Sequence, residues 1–277
     1  MNPFLDLLRG RDKGMARYDS LRESMLSFHS MIVKTLDRDA VRKAASTLGV
    51  LRADTIVFDS EHAIAVVFDH AIYGMYADGR NAVQRFAAER PRQGLTSEQR
   101  ILQDAATRAS YRLLAVRGHR PTQGIDVHDT VRNERLFLTD RGLSLSAPMG
   151  GLFATRTMQF EGLTTTTGAA LPVPPEASPE VDQLVERYRE ELLGESKPAG
   201  SPEREARFAA DVIRACLDHG AAQMCMSPEE WLQSDAEPVR TSLRIGSAAV
   251  LDNHPCPCGS GRKYKKCCKR VGAKRSP

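Results

Sequence analysis

Long apolar runs are missing from this chain: no stretch approaches the ~20 residues that a membrane-crossing helix needs. The first ten residues, MNPFLDLLRG, have neither the basic lead nor the apolar stretch of a secretion signal. Both absences point to a cytoplasmic protein. No GxxxxGK[ST] loop or other Gly-rich phosphate loop and no nucleophile elbow occurs, which excludes a P-loop motor. Cysteine is scarce: there are six in 277 residues, and four of them crowd between positions 256 and 268. In a reducing compartment such a cluster binds metal more readily than it forms disulfides.

Charge is placed as unevenly as cysteine. From Asp252 onward five Lys and three Arg stand against one Asp, a net +7 that leaves the preceding 251 residues at −3 within a total of +4. The basic character that attracts an anionic partner is thus a property of the tail. The overall balance, 41% hydrophobic and 27% charged, is that of a folded globular chain long enough for a sizeable core.

Periodicity predicts an α+β fold. Tyr18, Leu21, Met25, Phe28 and Ile32 recur at steps of three and four, one stripe of a helix of about twenty residues. Val41, Ala44, Ala45 and Leu48 mark a short helix stopped by Gly49. Ser60 can cap a third helix, with Ile64, Val67, Phe68 and Met75 as its buried face. A fourth pattern covers 81–90 and ends at Pro91. T-S-E-Q at 96–99 has capping-box spacing and opens a helix expected to run to about Ser110. Beyond it, 111–117, 124–128, 134–139 and 151–158 are short β-rich runs separated by turn residues at Gly118, Asn133, 140–142 and 148–151. They predict a small antiparallel sheet or partial barrel, with the threonines at 164–167 as its last edge. A stiff linker is expected at 172–179. Two Ser-Pro-capped helices follow, and a loose stretch at 233–253 leads to the tail. The expected divisions are a helical region 1–110, a β region 111–171, a C-terminal helical pair 178–232 and a terminal zinc knuckle at 252–270.

Thirteen residues cannot bury enough apolar surface to offset their own ordering entropy, whereas a metal bound by four thiolates releases about 10–16 kcal/mol. The pattern C-x-C-x8-C-C, Cys256, Cys258, Cys267 and Cys268, supplies four soft ligands and no open position, which suits one closed structural Zn²⁺. Gly259, Ser260 and Gly261 permit a tight reversal between the pairs. A reduced or redox-active tail is the alternative. His254 reads as a linker residue, since four thiolates already fill a tetrahedral site. Cys216, on an apolar helix face, reads as a packed small hydrophobe.

The run P-C-P-C-G-S-G-x-x-Y-K-x-C-C over 255–268 resembles the SEC-C motif, the bacterial-type zinc-binding tail best known from the preprotein translocase ATPase. The resemblance implies that the four cysteines are the zinc ligands, that Tyr264 packs beside the knuckle, and that Gly259, Ser260 and Gly261 shape the turn. Family tails often carry histidine at the fourth ligand position, where this chain has cysteine. In that family the knuckle is a docking surface, for an export chaperone or the ribosome among others, so a protein partner is implied. Arg262, Lys263, Lys265, Lys266, Lys269 and Arg270 either offset the −2 charge of a thiolate-bound zinc or meet an anionic partner, nucleic acid or an acidic protein face.

Two constellations offer a metal-dependent hydrolase as a rival. Glu61, His62, Asp69 and His70 lie on one predicted helix, where His62, Asp69 and Tyr73 share a face; the expected role is a solvated surface. Asp126 and His128 fall on one side of a predicted strand, again expected to be surface. No set of acid, base and nucleophile converges, so the expectation is a non-enzymatic docking protein, with nucleic-acid binding through the β region and knuckle as a second rival.

Overall fold

The computed structural model describes residues 3–52, 55–58, 61–90, 94–193, 201–224 and 241–244. Helix α1 (Pro3–Val33) buries Tyr18, Leu21, Met25, Phe28 and Ile32, the stripe read from the sequence, on a helix longer than expected. Helix α2 (Arg38–Thr47) starts at Asp37, whose side chain accepts from the Ala40 amide, and is followed by Gly49 at φ +75°. Strands β1 (Leu51–Arg52) and β2 (Thr55–Phe58) form a small antiparallel sheet with a strand from the far end of the chain. Helix α3 (Glu61–Asp69) then passes into a π-helical turn at His70–Gly74. The extra residue per turn moves the inward face: Ala63, Val66, Val67, His70 and Ala71 are buried, while the expected Ile64, Phe68 and Met75 are half-buried.

Helices α4 (Ala82–Glu89) and α5 (Ser97–Ala106) both open on capping boxes, Asn81 with Gln84 and Thr96 with Gln99. The second is shorter than the sequence reading, because Ser110 already starts strand β3 (Ser110–Arg120). Then come β4 (Gly124–Asp129), β5 (Glu134–Thr139), α6 (Arg141–Ser146), β6 (Leu152–Phe160), β7 (Leu163–Thr166) and β8 (Leu171–Pro172). Helix α6 replaces what reads as a plain turn: Asp140 caps it by accepting from the Leu143 amide at 3.0 Å. The segment expected to be a stiff linker is instead packed into the fold. Leu171–Pro172 pairs with β6, and Val173 and Ala177 are buried. Helices α7 (Ser178–Leu193), α8 (Pro202–Asp218) and α9 (Ala221–Met224) follow, and β9 (Thr241–Arg244), within the stretch expected to be loose, pairs with β2.

The main sheet is antiparallel and curls, in the order β5-β4-β3-β6-β7 with β8 on β6. Its two ends approach one another, and Thr166 on β7 donates to Asp140 at the end of β5 across 3.1 Å. Leu114, Val116, Ile125, Val127, Leu138 and Phe153 fill the inside of the curl, closed at one end by Leu143 and Ala147 of the α6 region. Side chains leaving the opposite face of β3 and β6 join two helical cores. Tyr111, Leu113 and Ala154 pack with α2, α3, α7 and α8, and Met158 packs with α1, α4 and α5. The fold is α+β: a partial barrel with helices on one wall.

Candidate functional site

The SEC-C residues, Cys256, Cys258, Gly259, Ser260, Gly261, Arg262, Lys263, Tyr264, Lys265, Lys266, Cys267, Cys268, Lys269 and Arg270, lie outside the described residues, as do Cys225 and His254. Among the described residues no group of three or more His, Cys, Asp or Glu converges as a metal site requires.

Of the helix constellation, Asp69, His70 and Tyr73 prove to be buried rather than solvated, while the side chains of Glu61 and His62 lie outside the described residues. Asp69 and His70 are 8% and 1% exposed and Tyr73 is buried, because the π turn directs them at the barrel wall. Such turns often coincide with sites that do more than pack. Arg156, opposite Tyr111 in the β3–β6 ladder, meets them there. Its Nε donates to Asp69 Oδ2 at 3.1 Å, and its guanidinium stands 4.7 Å from the Tyr73 ring centre and 5.5 Å from that of Tyr111. Thr167 Oγ1 donates to Asp69 Oδ1 at 2.6 Å, so both carboxylate oxygens are engaged.

The charge chain continues outward. Arg156 Nη1 lies 3.8 Å from Glu205 Oε1, which also accepts from the Tyr111 amide; Glu205 Oε2 accepts from Arg132 at 3.0 Å. Arg132 and Arg112 both donate to Asp129 Oδ2, at 3.1 and 2.8 Å, and Arg112 reaches Glu134 at 3.0 Å. Asp129, fully buried, also accepts from the Val131 and Arg132 amides and thereby shapes the β4–β5 turn. Burial opposes the Arg156 charge, but Asp69 and Glu205 outweigh it and raise its pKa further.

His29 Nε2 and Tyr73 Oη share a 2.8 Å hydrogen bond. Burial pushes His29 and His70 down to about 4, so both imidazoles are neutral at pH 7, and it pushes the Tyr73 phenol up. Neither ring nitrogen of His70 has a hydrogen-bond partner among the described residues, and a Cβ on Gly74 would lie 2.3 Å from His70 Nδ1. The network joins helices to barrel through paired charge, with every carboxylate in it already engaged. Cys216 is a buried free thiol pushed up to about 12 by burial, an inert packing residue as read from its helix face.

Asp126 and His128 do share the outer side of β4, but they are held apart: Asp126 by Arg120 at 2.8 Å, His128 by Asn133 at 2.9 Å. They line a groove of about 1120 Å³ with Arg117, Arg135 and Phe137. Sequence reasoning missed Arg156, Glu205 and the three arginine- and phenylalanine-bearing positions of this groove. The available signal was an arginine inside the β-run GLFATRTM, where a charge must face a partner.

A family of unknown function (DUF7986) matches residues 12–208, which is most of the chain. The chain belongs to that family. The SEC-C motif matches residues 253–270, so this DUF7986 member carries a SEC-C motif after its family region. The chain is also similar to protein translocase subunit SecA of a Nitratiruptor species, 31% identical over 93 residues, which are 34% of this chain and 10% of that protein. To the SecA of Caldicellulosiruptor saccharolyticus it is 36% identical over 106 residues, 33% of this chain and 12% of that one. To that of Desulfovibrio desulfuricans it is 61% identical over 34 residues, 12% and 4% respectively. The chain thus spans about a tenth of the length of the first two of these relatives. No solved structure matches it. No helix among the described residues is long and apolar enough to cross a membrane.

Proposed function

We propose that this DUF7986 protein is a non-enzymatic cytoplasmic adaptor whose SEC-C knuckle, folded around one structural zinc ion, docks a protein partner. The observation that carries the reading is the SEC-C match at 253–270 falling on Cys256, Cys258, Cys267 and Cys268. The donor set fits the ion: four thiolates satisfy tetrahedral Zn²⁺ and leave no position for water or substrate. Zinc supplies folding energy there and no reaction step. Because the similar proteins are translocase subunits, the partner class we assign is one serving protein export or the ribosome. Arg262, Lys263, Lys265, Lys266, Lys269 and Arg270 form the basic rim that meets it.

Metal analysis of the purified full chain tests the first half: about one zinc per chain is expected, lost in the Cys267→Ser, Cys268→Ser double variant while the far-ultraviolet signal of the body persists. Substoichiometric zinc with four titratable tail thiols refutes it. Affinity capture with the intact chain and with that double variant tests the second half. A partner retained only by the intact chain supports docking, and identical captures oppose it.

A further inference from the structure

The curled sheet has a second working face. Its chain order runs β3, β4, β5, then α6, then β6 and β7, with β3 paired to both β4 and β6 and with β5 approaching β7. Five-stranded Greek-key barrels that take oligonucleotides or oligosaccharides use the face of their second and third strands, here β4 and β5. Fold alone assigns no ligand. The chemistry of this face does.

Along β4 and β5 the side chains alternate. Ile125, Val127 and Leu138 point into the barrel core, whereas Asp126, His128, Arg135 and Phe137 point out. The register sets His128 beside Arg135 and Asp126 beside Phe137. On β3 the register shift between Val116 and Gly118 leaves Arg117 exposed at the same groove. Arg117 and Arg135 are both exposed, and no ion pair joins either to another described residue. The carboxylate of the groove is already matched, since Asp126 is bonded by Arg120. That same Arg120 lies 4.2 Å from the centre of the half-buried Phe137 ring. The groove therefore offers two unmatched guanidiniums, a cation-backed aromatic ring and a His128–Asn133 pair able to hydrogen-bond, in a space wide enough for nucleotides. The large exposed apolar side chains, Leu145, Met149 and Met224, lie elsewhere, so an apolar protein face has little to grip here.

We propose that the outer face of β4 and β5 binds single-stranded nucleic acid, with Arg117 and Arg135 on phosphates and a base stacked against the Phe137–Arg120 pair. Planar guanidiniums match phosphate oxygens two at a time, and base-on-aromatic stacking needs bases that are not already paired. The net −3 of the residues before the tail means that attraction is local to the groove and not a property of the whole surface.

The test is fluorescence anisotropy of the full-length zinc-loaded protein with labelled single strands of about a dozen nucleotides, U-rich RNA and T-rich DNA in separate arms, across a salt series. Arg117→Ala with Arg135→Ala is expected to weaken binding at least tenfold and to flatten the slope of log affinity against log salt by about 1.4. Phe137→Ala is expected to weaken it about tenfold with the slope unchanged. A duplex of the same sequence is expected to bind more weakly than the single strand. A stronger RNA arm assigns RNA and a stronger DNA arm assigns DNA; either supports the face. Absence of binding by the unaltered protein overturns the proposal. So does binding that survives all three groove substitutions and falls only with Lys265→Glu, Lys266→Glu, which locates the anion site in the tail. Displacement by poly-glutamate as effectively as by the oligonucleotide overturns the nucleic-acid assignment. Because the groove variants leave the four cysteines intact, this test fails or succeeds independently of zinc-dependent docking.

Discussion

Arg156 shows how much one buried charge can organise. It lies on a sheet strand at 4% exposure and is held by Asp69 in the helical layer and by Glu205 on α8. A guanidinium taken out of water costs several kcal/mol unless partners surround it, and removing it strands those partners in turn. Arg156→Met is therefore expected to destabilise the protein by about 3–5 kcal/mol in urea unfolding, the range for breaking one side of a buried pair. Adding Asp69→Asn should recover part of that loss. The amide is neutral and its oxygen can still accept from Thr167. A single-variant loss below about 1 kcal/mol, or no recovery in the double variant, would show that the pair is not what holds the two layers together.

At the scale of elements, two glycines make opposite predictions. Gly124 begins β4 opposite Thr139, and a Cβ there would sit 1.8 Å from the Leu138 carbonyl oxygen and 2.9 Å from Phe137 Cζ. Gly124→Ala must push β4 and β5 apart and is expected to cost about 3 kcal/mol, at the top of the overpacking range. Gly14 lies mid-helix in α1, and a Cβ added to it would meet nothing within 4 Å, so Gly14→Ala should stabilise by about 0.5–1 kcal/mol. Thermal melts moving in the same direction for both would contradict the close β4–β5 approach. What could be read in advance follows the same division. The α1 stripe, the T-S-E-Q box and the strands on either side of Asn133 depend on neighbours within a turn or a hairpin, and these were legible, whereas Gly118, read as a turn, lies inside β3 beside its bulge, where the strand runs on to Arg120. The π turn at His70–Gly74 was not legible, because an inserted residue alters the phase of the pattern without altering its composition. Helix α6 is too short to show a period. Strand β8 hides in a proline-rich run, yet its pairing at the sheet margin suits proline, which has no N–H to donate. The SEC-C motif was legible as a local spacing. The Asp69–Arg156–Glu205 chain joins residues far apart in sequence, and no local pattern reports such a meeting.

For the molecule as a whole, the two depressed histidines set an acid limit. His29 lies on α1 against Tyr73 with Asp69 and Arg22 in range, and His70 lies at the barrel wall near Asp69 and Arg156. Burial lowers both from the ordinary 6.5 to about 4 in the folded protein. The unfolded chain therefore binds more protons than the folded one between those values. Stability contributed by keeping these rings neutral is whole above about pH 6.5 and drains away as pH falls toward 4. Each ring removes on the order of 3 kcal/mol by the bottom of that window, a large share of the 5–15 kcal/mol that holds a typical domain together. Since His70 makes no hydrogen bond to any described residue, His70→Leu should fold at pH 7 and reduce the slope of unfolding free energy against pH by about 1.4 kcal/mol per unit, one proton's worth. Urea titrations of both proteins at half-unit steps from pH 7 to pH 4 measure this directly. Parallel slopes would mean that the His70 ring takes up its proton without leaving its place at the helix–barrel wall, and that acid enters the fold by another door.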